Sequence, residues 1–303
     1  MSKSVATVEQ LIRRSAALFE SSDIFFGHGS DNAIDEAAEL VFFAAGLKHE
    51  DAAAVYSRRL SAEEEAAASQ LVQRRIAERI PAAYLTNRMW FCGHEFFVDR
   101  RVLVPRSPIA ELIEARFSPW VDSEEVENVL DIGTGSGCIA IATALAFPDA
   151  RVVAADISSD ALEVARINIR RYALEGRVRA VQSDVYGALN IERYDVIVSN
   201  PPYVSAAEVA TLPDENRHEP ELGLLAGNDG LSIVSRILVD AERYLTSKGV
   251  LIVEVGDTEE TVGEAYPRLP FTWLEFERGG GGVFLLTAAQ LSEHRDQFAM
   301  NRK

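Results

Sequence analysis

From Thr7 to about Pro81 the apolar positions recur with helical spacing. Asp31 is placed to cap a helix whose apolar face carries Ile34, Ala38, Val41, Phe42 and Ala45, with Gly46 as its stop. A charged, alanine-rich helix follows from Ser61 to about Ile80, where Pro81 restricts the preceding residue away from helical backbone. The pattern predicts a small helical domain over residues 1–83.

The period changes between Tyr84 and Pro105. "MWFCGHEFFVDRRVLVP" is rich in aromatic and β-branched residues around two turn-like points, Cys92-Gly93 and Asp99-Arg100, so residues 84–105 are expected to form a β-hairpin linker. Residues 106–303 then follow an α/β rhythm. Strands are expected at "NVLDI" (128–132), "RVVAAD" (151–156), "RVRAVQ" (177–182), "YDVIVSN" (194–200) and "GVLIVEV" (249–255), with helices over 138–147 and from Ser158 or Ser159 to near Gly176. Near-continuous apolar strands spaced by helices imply a parallel sheet covered on both faces. At the end, "FTWLEFERGGGGVFLLTA" reads as two extended segments across a glycine-rich turn, an antiparallel hairpin at the sheet edge.

Composition narrows the range of functions. The 303 residues are 48% hydrophobic, enough for one large or two smaller cores. With 30 Lys and Arg against 47 Asp and Glu the net charge is -17, which disfavours stable nucleic-acid binding through phosphates and attracts a basic protein. Cys92 and Cys138 lie far apart without a Cys/His cluster, so neither a disulfide framework nor a metal site is expected. The chain starts without an apolar signal region and has no stretch near roughly 18 consecutive apolar residues, so a cytoplasmic protein without a membrane partner is expected.

Two loops carry candidate chemistry. "LDIGTGSGCIAIA" places Gly133, Gly135 and Gly137 between the first core strand and a helix, at the sheet edge where α/β proteins bind ligands. Asp156 ends the second strand, 23 positions after Gly133, where a carboxylate can accept both hydroxyls of a ribose; Asp184 ends the third, placed to meet an adenine edge. Such a nucleoside pocket suits NAD or S-adenosylmethionine. A dinucleotide loop has its third glycine one position later, where this chain has Cys138, which weighs against NAD.

The second loop is "VSNPPYV", residues 198–204. Prolines cannot continue a central strand, and a turn alone would account for them. Beside a methyl donor the four residues have a further use. The Asn200 side-chain oxygen and the Pro201 carbonyl can each accept one N–H of a planar amide or amine, the prolines stiffen the loop, and Tyr203 offers a flat face. No nucleophile or metal is needed, because a sulfonium methyl is already electrophilic.

With these motifs the chain resembles the class I S-adenosylmethionine-dependent methyltransferases, and among them the HemK/Prm family of protein-glutamine methyltransferases. The likeness covers "DIGTGSG", "NPPY", "HEPELGLLAGNDGL" at 218–231 and "GVLIVEVG" at 249–256. It implies a Rossmann-like, seven-stranded sheet with an antiparallel edge hairpin, preceded by a helical substrate-recognition domain. It further implies that Asp131, Gly133, Thr134, Gly135, Ser136 and Gly137 lie along the methionine part of S-adenosylmethionine. Asp156 with Ile157 holds its ribose, Asp184 with Val185 flanks its adenine, and Asn200 lies beside its methyl. Asn200, Pro201, Pro202 and Tyr203 are implied as the catalytic tetrad that binds a glutamine amide.

"VPRSPIAELI" at 104–113, "WFCGHEFFVD" and "ERGGGGVFLLT" look like the PrmB branch, which methylates a glutamine of the third large-subunit ribosomal protein. Arg106 is then a candidate for orienting substrate or donor, against the alternative of a solvated arginine. His218 is read as a positioning group or a hydrogen-bonded structural histidine. Three other functions compete: glutamine methylation of release factors, amino-methylation of a nucleic-acid base, and a non-enzymatic ribosome-assembly role. The acidic charge opposes the second, and a pure scaffold requires neither Asn200 nor Asp156.

Overall fold

The computed structural model describes residues 6–48, 52–227 and 230–299. The chain divides into two compact units: Met1–Met89 with Val98–Arg100 and Pro213–His218, and Trp90–Phe97 with Arg101–Leu212 and Glu219–Lys303.

The first unit is helical, with α1 (Val8–Glu20), α2 (Ala33–Ala44), α3 (Ala52–Val55), α4 (Ala62–Glu78) and α5 (Ala82–Thr86). Asn32, not Asp31, caps α2: its side chain accepts the Asp35 N–H, while Asp31 accepts from the Asn32 amide. The buried face is correspondingly turned, comprising Ala33, Ala37, Leu40, Val41 and Phe42, and leaves Ile34 exposed. In α4, Ser61 and Glu64 form a reciprocal capping box, and the helix ends at Glu78 with Arg79 in the left-handed region, before the proline expected to stop it. Arg75 is buried in this unit. It donates to Glu36, to Glu215 at 2.9 Å and to the Phe25 carbonyl at 2.6 Å. His218 Nε2 lies 2.9 Å from the Glu78 carbonyl oxygen, the structural alternative among its two readings.

A two-stranded hairpin, β1 (Met89–Phe91) and β2 (His94–Phe96), turns at Cys92 and Gly93, both at positive φ. Phe91 and Phe96 belong to the core of the α/β unit, together with Ile109 and Phe117. The α/β unit continues with α6 (Ile109–Glu114), β3 (Asn128–Ile132), α7 (Cys138–Ala146), β4 (Arg151–Asp156), α8 (Ser159–Arg171), β5 (Val178–Gln182) and β6 (Tyr194–Ser199). Next come α9 (Ala206–Val209), α10 (Glu221–Leu224), α11 (Ser232–Tyr244), β7 (Leu245–Glu254) and α12 (Glu259–Ala265). The chain closes with β8 (Thr272–Leu274), β9 (Val283–Thr287), α13 (Ala288–Glu293) and α14 (Arg295–Ala299).

The sheet order is β5-β4-β3-β6-β7-β9-β8, parallel from β5 to β7 and antiparallel beyond. The edge hairpin therefore inserts β9 beside β7 and leaves β8 outermost. Alternate residues of each central strand enter opposite cores: Val129, Val196, Val198 and Val250 on one side, Leu130, Ile197, Leu251 and Val253 on the other. Both sheet faces are dry, which is why these strands read as continuous apolar runs. The sheet order reverses at β3 and β6, and the loops that follow these two adjacent strands are the two with candidate chemistry.

Candidate active site

The glycine loop is pinned from both sides. Gly133 and Thr134 donate backbone N–H to the Ala155 carbonyl at 2.8 and 3.0 Å, and the Thr134 hydroxyl donates to Asp131 Oδ2 at 2.6 Å. Asp131 Oδ2 also accepts the Ala140 N–H in the first turn of α7, at 3.1 Å. Beneath the loop, buried Asn168 donates to the Ser136 carbonyl and to the Phe97 carbonyl, both at 2.9 Å, and accepts the Phe97 N–H. The hairpin and α8 thus brace the loop that joins β3 to α7.

Asp156 Oδ2 accepts the Gly135 N–H and its Oδ1 the Ser158 N–H, each at 2.9 Å. Burial raises its pKa despite these bonds. Asp131 is fully buried, and burial pushes it up to about 7. Its Oδ1 has no hydrogen-bond partner among the described residues. Ile157, which follows Asp156, is exposed. Asp184 is half exposed and paired with Arg236 at 2.8 Å, while Val185 sits at φ 52 with its side chain buried.

The tetrad meets this loop directly. Ser199 pairs with Ile132 in the β3/β6 register, and a Cβ built on Gly133 stands 3.7 Å from the Asn200 carbonyl oxygen and 3.9 Å from Pro201 Cα. Beyond Tyr203 the chain is tied to the motif at 218–231: Val204 donates to the Leu224 carbonyl and accepts from Ala226. Gly230 fits here because a Cβ would lie 2.5 Å from the Tyr203 carbonyl oxygen; Asn228 and Asp229 lie outside the described residues. Across the ring, a Cβ at Gly256 would stand 2.7 Å from Tyr203 Cε2. Backbone therefore walls the tyrosine where side chains would displace it.

A cleft of about 840 Å³ opens at this point, lined by Arg106, Tyr203, Glu254, Asp257, Glu260 and Trp273 among others. Arg106 is held by Glu219, with Nη1 and Nη2 donating to its two oxygens at 2.7 and 2.9 Å, and Glu219 Oε1 also accepts the Val104 N–H. The arginine is exposed yet paired: it forms one wall of the cleft as half of a bidentate pair. Burial pushes the Tyr203 hydroxyl up to about 12, with Glu254 adding to the effect, so it remains a hydrogen-bond donor. Sequence reasoning read Glu254 only as part of an apolar strand. The available signal was an acid at the end of that strand, directly before Val255 and the close-packed Gly256.

Fold, glycine loop and tetrad together define a class I S-adenosylmethionine-dependent methyltransferase. Residues 117–213 match the family model of the methyltransferase small domain, and residues 16–86 that of the PrmC N-terminal domain. The ribosomal protein uL3 glutamine methyltransferase of Francisella tularensis subsp. tularensis is 45% identical over 96% of this chain and 93% of its own length. That of Neisseria meningitidis serogroup B is 46% identical over 95% of each. The chain belongs to their family, the HemK/Prm protein-glutamine methyltransferases, in the branch with these uL3 enzymes. Among solved structures, a methyltransferase from Pyrococcus furiosus has 21% identity and a TM-score of 0.46, over 64% of this chain and 88% of that one.

The residues present suit S-adenosylmethionine. The space a Cβ at Gly135 would fill is open, Asp156 turns a carboxylate to the same strand-end edge, and Asp131 keeps a buried oxygen to spare. Among the described residues no cluster of His, Cys, Asp or Glu could hold a metal ion, and no helix is long and apolar enough to cross a membrane. Both cysteines are free thiols, and burial pushes each up to about 12.

Proposed function

We propose that this protein transfers a methyl group from S-adenosylmethionine to the side-chain amide nitrogen of a glutamine in a large-subunit ribosomal protein, the uL3 protein named for its relatives. The observation that carries this reading is the contact of two loops: the tetrad leaves β6 directly against Gly133 of the loop that leaves β3. An amide seated on Asn200 is then adjacent to a donor seated on Gly133–Gly137.

Bound S-adenosylmethionine supplies an electrophilic sulfonium methyl; the chain supplies placement. An amide nitrogen is a weak nucleophile because its lone pair is delocalised, so in-line orientation and charge stabilisation are what catalysis requires. The Asn200 Oδ1 and the Pro201 carbonyl accept the two N–H groups and raise electron density on nitrogen. Pro201 and Pro202 limit the conformers of that loop, and the ring of Tyr203, walled by Gly256, packs against the planar amide. With the donor bound, the nitrogen lone pair would form the new N–C bond as the S–C bond of the donor breaks, and the proton lost from nitrogen would pass to solvent.

Gly133 to Gly137 with Asp131 would take the methionine part, Asp156 the ribose, and Asp184 with Val185 the adenine. Asp184 would do so while paired with Arg236. Residues 1–83 are the candidate recognition domain, a reading supported by the PrmC N-terminal match. The net charge of -17 favours encounter with a basic ribosomal protein in the cytoplasm, free or in an assembling subunit.

The test is to incubate the protein with labelled donor and unmethylated large-subunit proteins, then locate the label by mass spectrometry. Label on a glutamine is expected. Label confined to RNA would support the nucleic-acid alternative, and label on no glutamine overturns the proposal.

A further inference from the structure

Glu254 ends β7, the neighbour of β6 in the sheet, and lines the same cleft as Tyr203 of the tetrad. It is buried, at 6% exposure. Strand register sets it beside Asn200, because Ser199 pairs with Val253 one position earlier; the Ser107 hydroxyl donates to its Oε2, and Arg106 and Tyr203 line the same cleft. Packing does not call for an acid here. The preceding residues Val250, Leu251, Ile252 and Val253 are fully apolar, and a dry carboxylate is unfavourable unless its lone pairs are used.

Its use follows from the two ends of the Asn200 amide. The oxygen end accepts and the nitrogen end donates, and the neighbour that meets one end decides where the other points. An ionised carboxylate only accepts, so it draws the NH2 end of Asn200 and the hydroxyl of Tyr203. We infer that Glu254 is a positioning residue for the methyl acceptor: by holding the Asn200 NH2 end it turns Asn200 Oδ1 toward the N–H of the substrate amide. This rests on the function proposed above. It also gives a role to the stretch "VPRSP", whose Ser107 holds Glu254 and whose Arg106 is held by Glu219.

A protonated carboxyl can donate as well as accept and no longer selects one orientation of the amide. Burial pushes Glu254 up to about 7, against the opposing pull of Ser107, Arg106, Asn200 and Tyr203. The charged groups around it are Arg106, with Glu219 behind it, and Asp257, which acts with Glu254 on Tyr203. The ionised form is the positioning form, so turnover should rise with pH through about 7.

The test compares kcat, KM and donor affinity for the wild type, Glu254→Gln, Glu254→Asp and Ser107→Ala, using unmethylated uL3 and labelled donor across pH 5.5–9. Glu254→Gln should lower kcat about 100-fold, leave calorimetric donor affinity within about threefold, and flatten the pH rise; Glu254→Asp should restore part of both. Ser107→Ala removes a bond that favours the charged form, so its pH midpoint should move upward. Wild-type kcat and pH profile in Glu254→Gln overturn this inference alone, as does an unmoved midpoint in Ser107→Ala. Donor affinity lost in step with kcat also overturns it. A wild type that labels no glutamine overturns the proposed function, and this inference with it.

Discussion

Ser199 and Ile132 lie opposite each other on adjacent parallel strands, and the Ser199 hydroxyl donates to the Ile132 carbonyl oxygen at 2.7 Å. The next residue on one strand is Asn200 and on the other Gly133, so this bond ties together the last points before the acceptor loop and the donor loop diverge. Ser199→Ala removes a fully buried donor and should lower stability by about 1–2 kcal/mol. It should also raise KM for the protein substrate more than donor affinity falls, because the glycine loop keeps its own bonds to Ala155, Asp131 and Asp156. Denaturant unfolding checks the first part; steady-state kinetics set against calorimetric donor affinity checks the second.

Asn200→Ala removes an acceptor for the amide without touching the bonds that pin the glycine loop, which run to Ala155, Asp131, Asp156 and Asn168. Donor affinity should change by no more than a few-fold while kcat falls by about 100- to 1,000-fold. Calorimetry against single-turnover methylation separates the two. A variant with normal turnover would refute the role given to Asn200.

How much of this was legible in the sequence depended on what holds each part in place. The central strands were readable because both sheet faces are buried and every residue from Val250 to Val253 must be apolar. Strand end and loop chemistry coincided at Gly133 and Asn200 for the same topological reason. The short segments α9 and α10 were not readable: each is four residues long and held by long-range bonds such as Val204 to Leu224, which leave no period. At α2, Asp31 and Asn32 are both capping residue types, and only the backbone geometry selects the second. Glu254 was hidden because an acid within an apolar run carries no mark of its neighbours Ser107 and Asn200, distant in sequence.

Stability should fall as pH rises toward and beyond neutrality. Asp131 and Glu254 are both raised to about 7 by burial, above their ordinary values of 3.8 and 4.5. Between those values and 7 the folded chain binds more protons than the unfolded one, so each group favours the folded state at low pH and that advantage is lost through about 7. Carboxyls that hydrogen bonds hold below their ordinary range, such as Glu64 and Glu111, act in the opposite sense at acid pH. Asp131→Asn keeps an acceptor for Thr134 and Ala140 and removes the ionisable group. Thermal unfolding of the unliganded protein should therefore decline less steeply from pH 5 to 8 in Asp131→Asn than in the wild type; equal slopes would show that Asp131 does not titrate in this range.

In the helical unit, Arg75 is the charge on which two buried acids depend. Its side chain is 1% exposed and meets Glu36 and Glu215, which are 4% and 2% exposed, together with the Phe25 carbonyl. Glu215 also accepts the Phe25 N–H, so one guanidinium organises the backbone at Phe25 from both its N–H and its carbonyl. Removing the arginine leaves buried Glu36 without its countercharge and Glu215 with Arg79 alone, at 3.5 Å, a far greater loss than that of an exposed pair such as Arg13 with Glu9. Arg75→Ala should cost about 3–5 kcal/mol, and Arg13→Ala within about 0.5 kcal/mol of nothing. Replacing all three groups at once, as Arg75→Met with Glu36→Gln and Glu215→Gln, should recover much of the loss, because no unpaired buried charge then remains. Denaturant midpoints of the three proteins decide it, and a triple variant no more stable than Arg75→Ala would show that packing of the long side chain, not charge balance, is what Arg75 supplies.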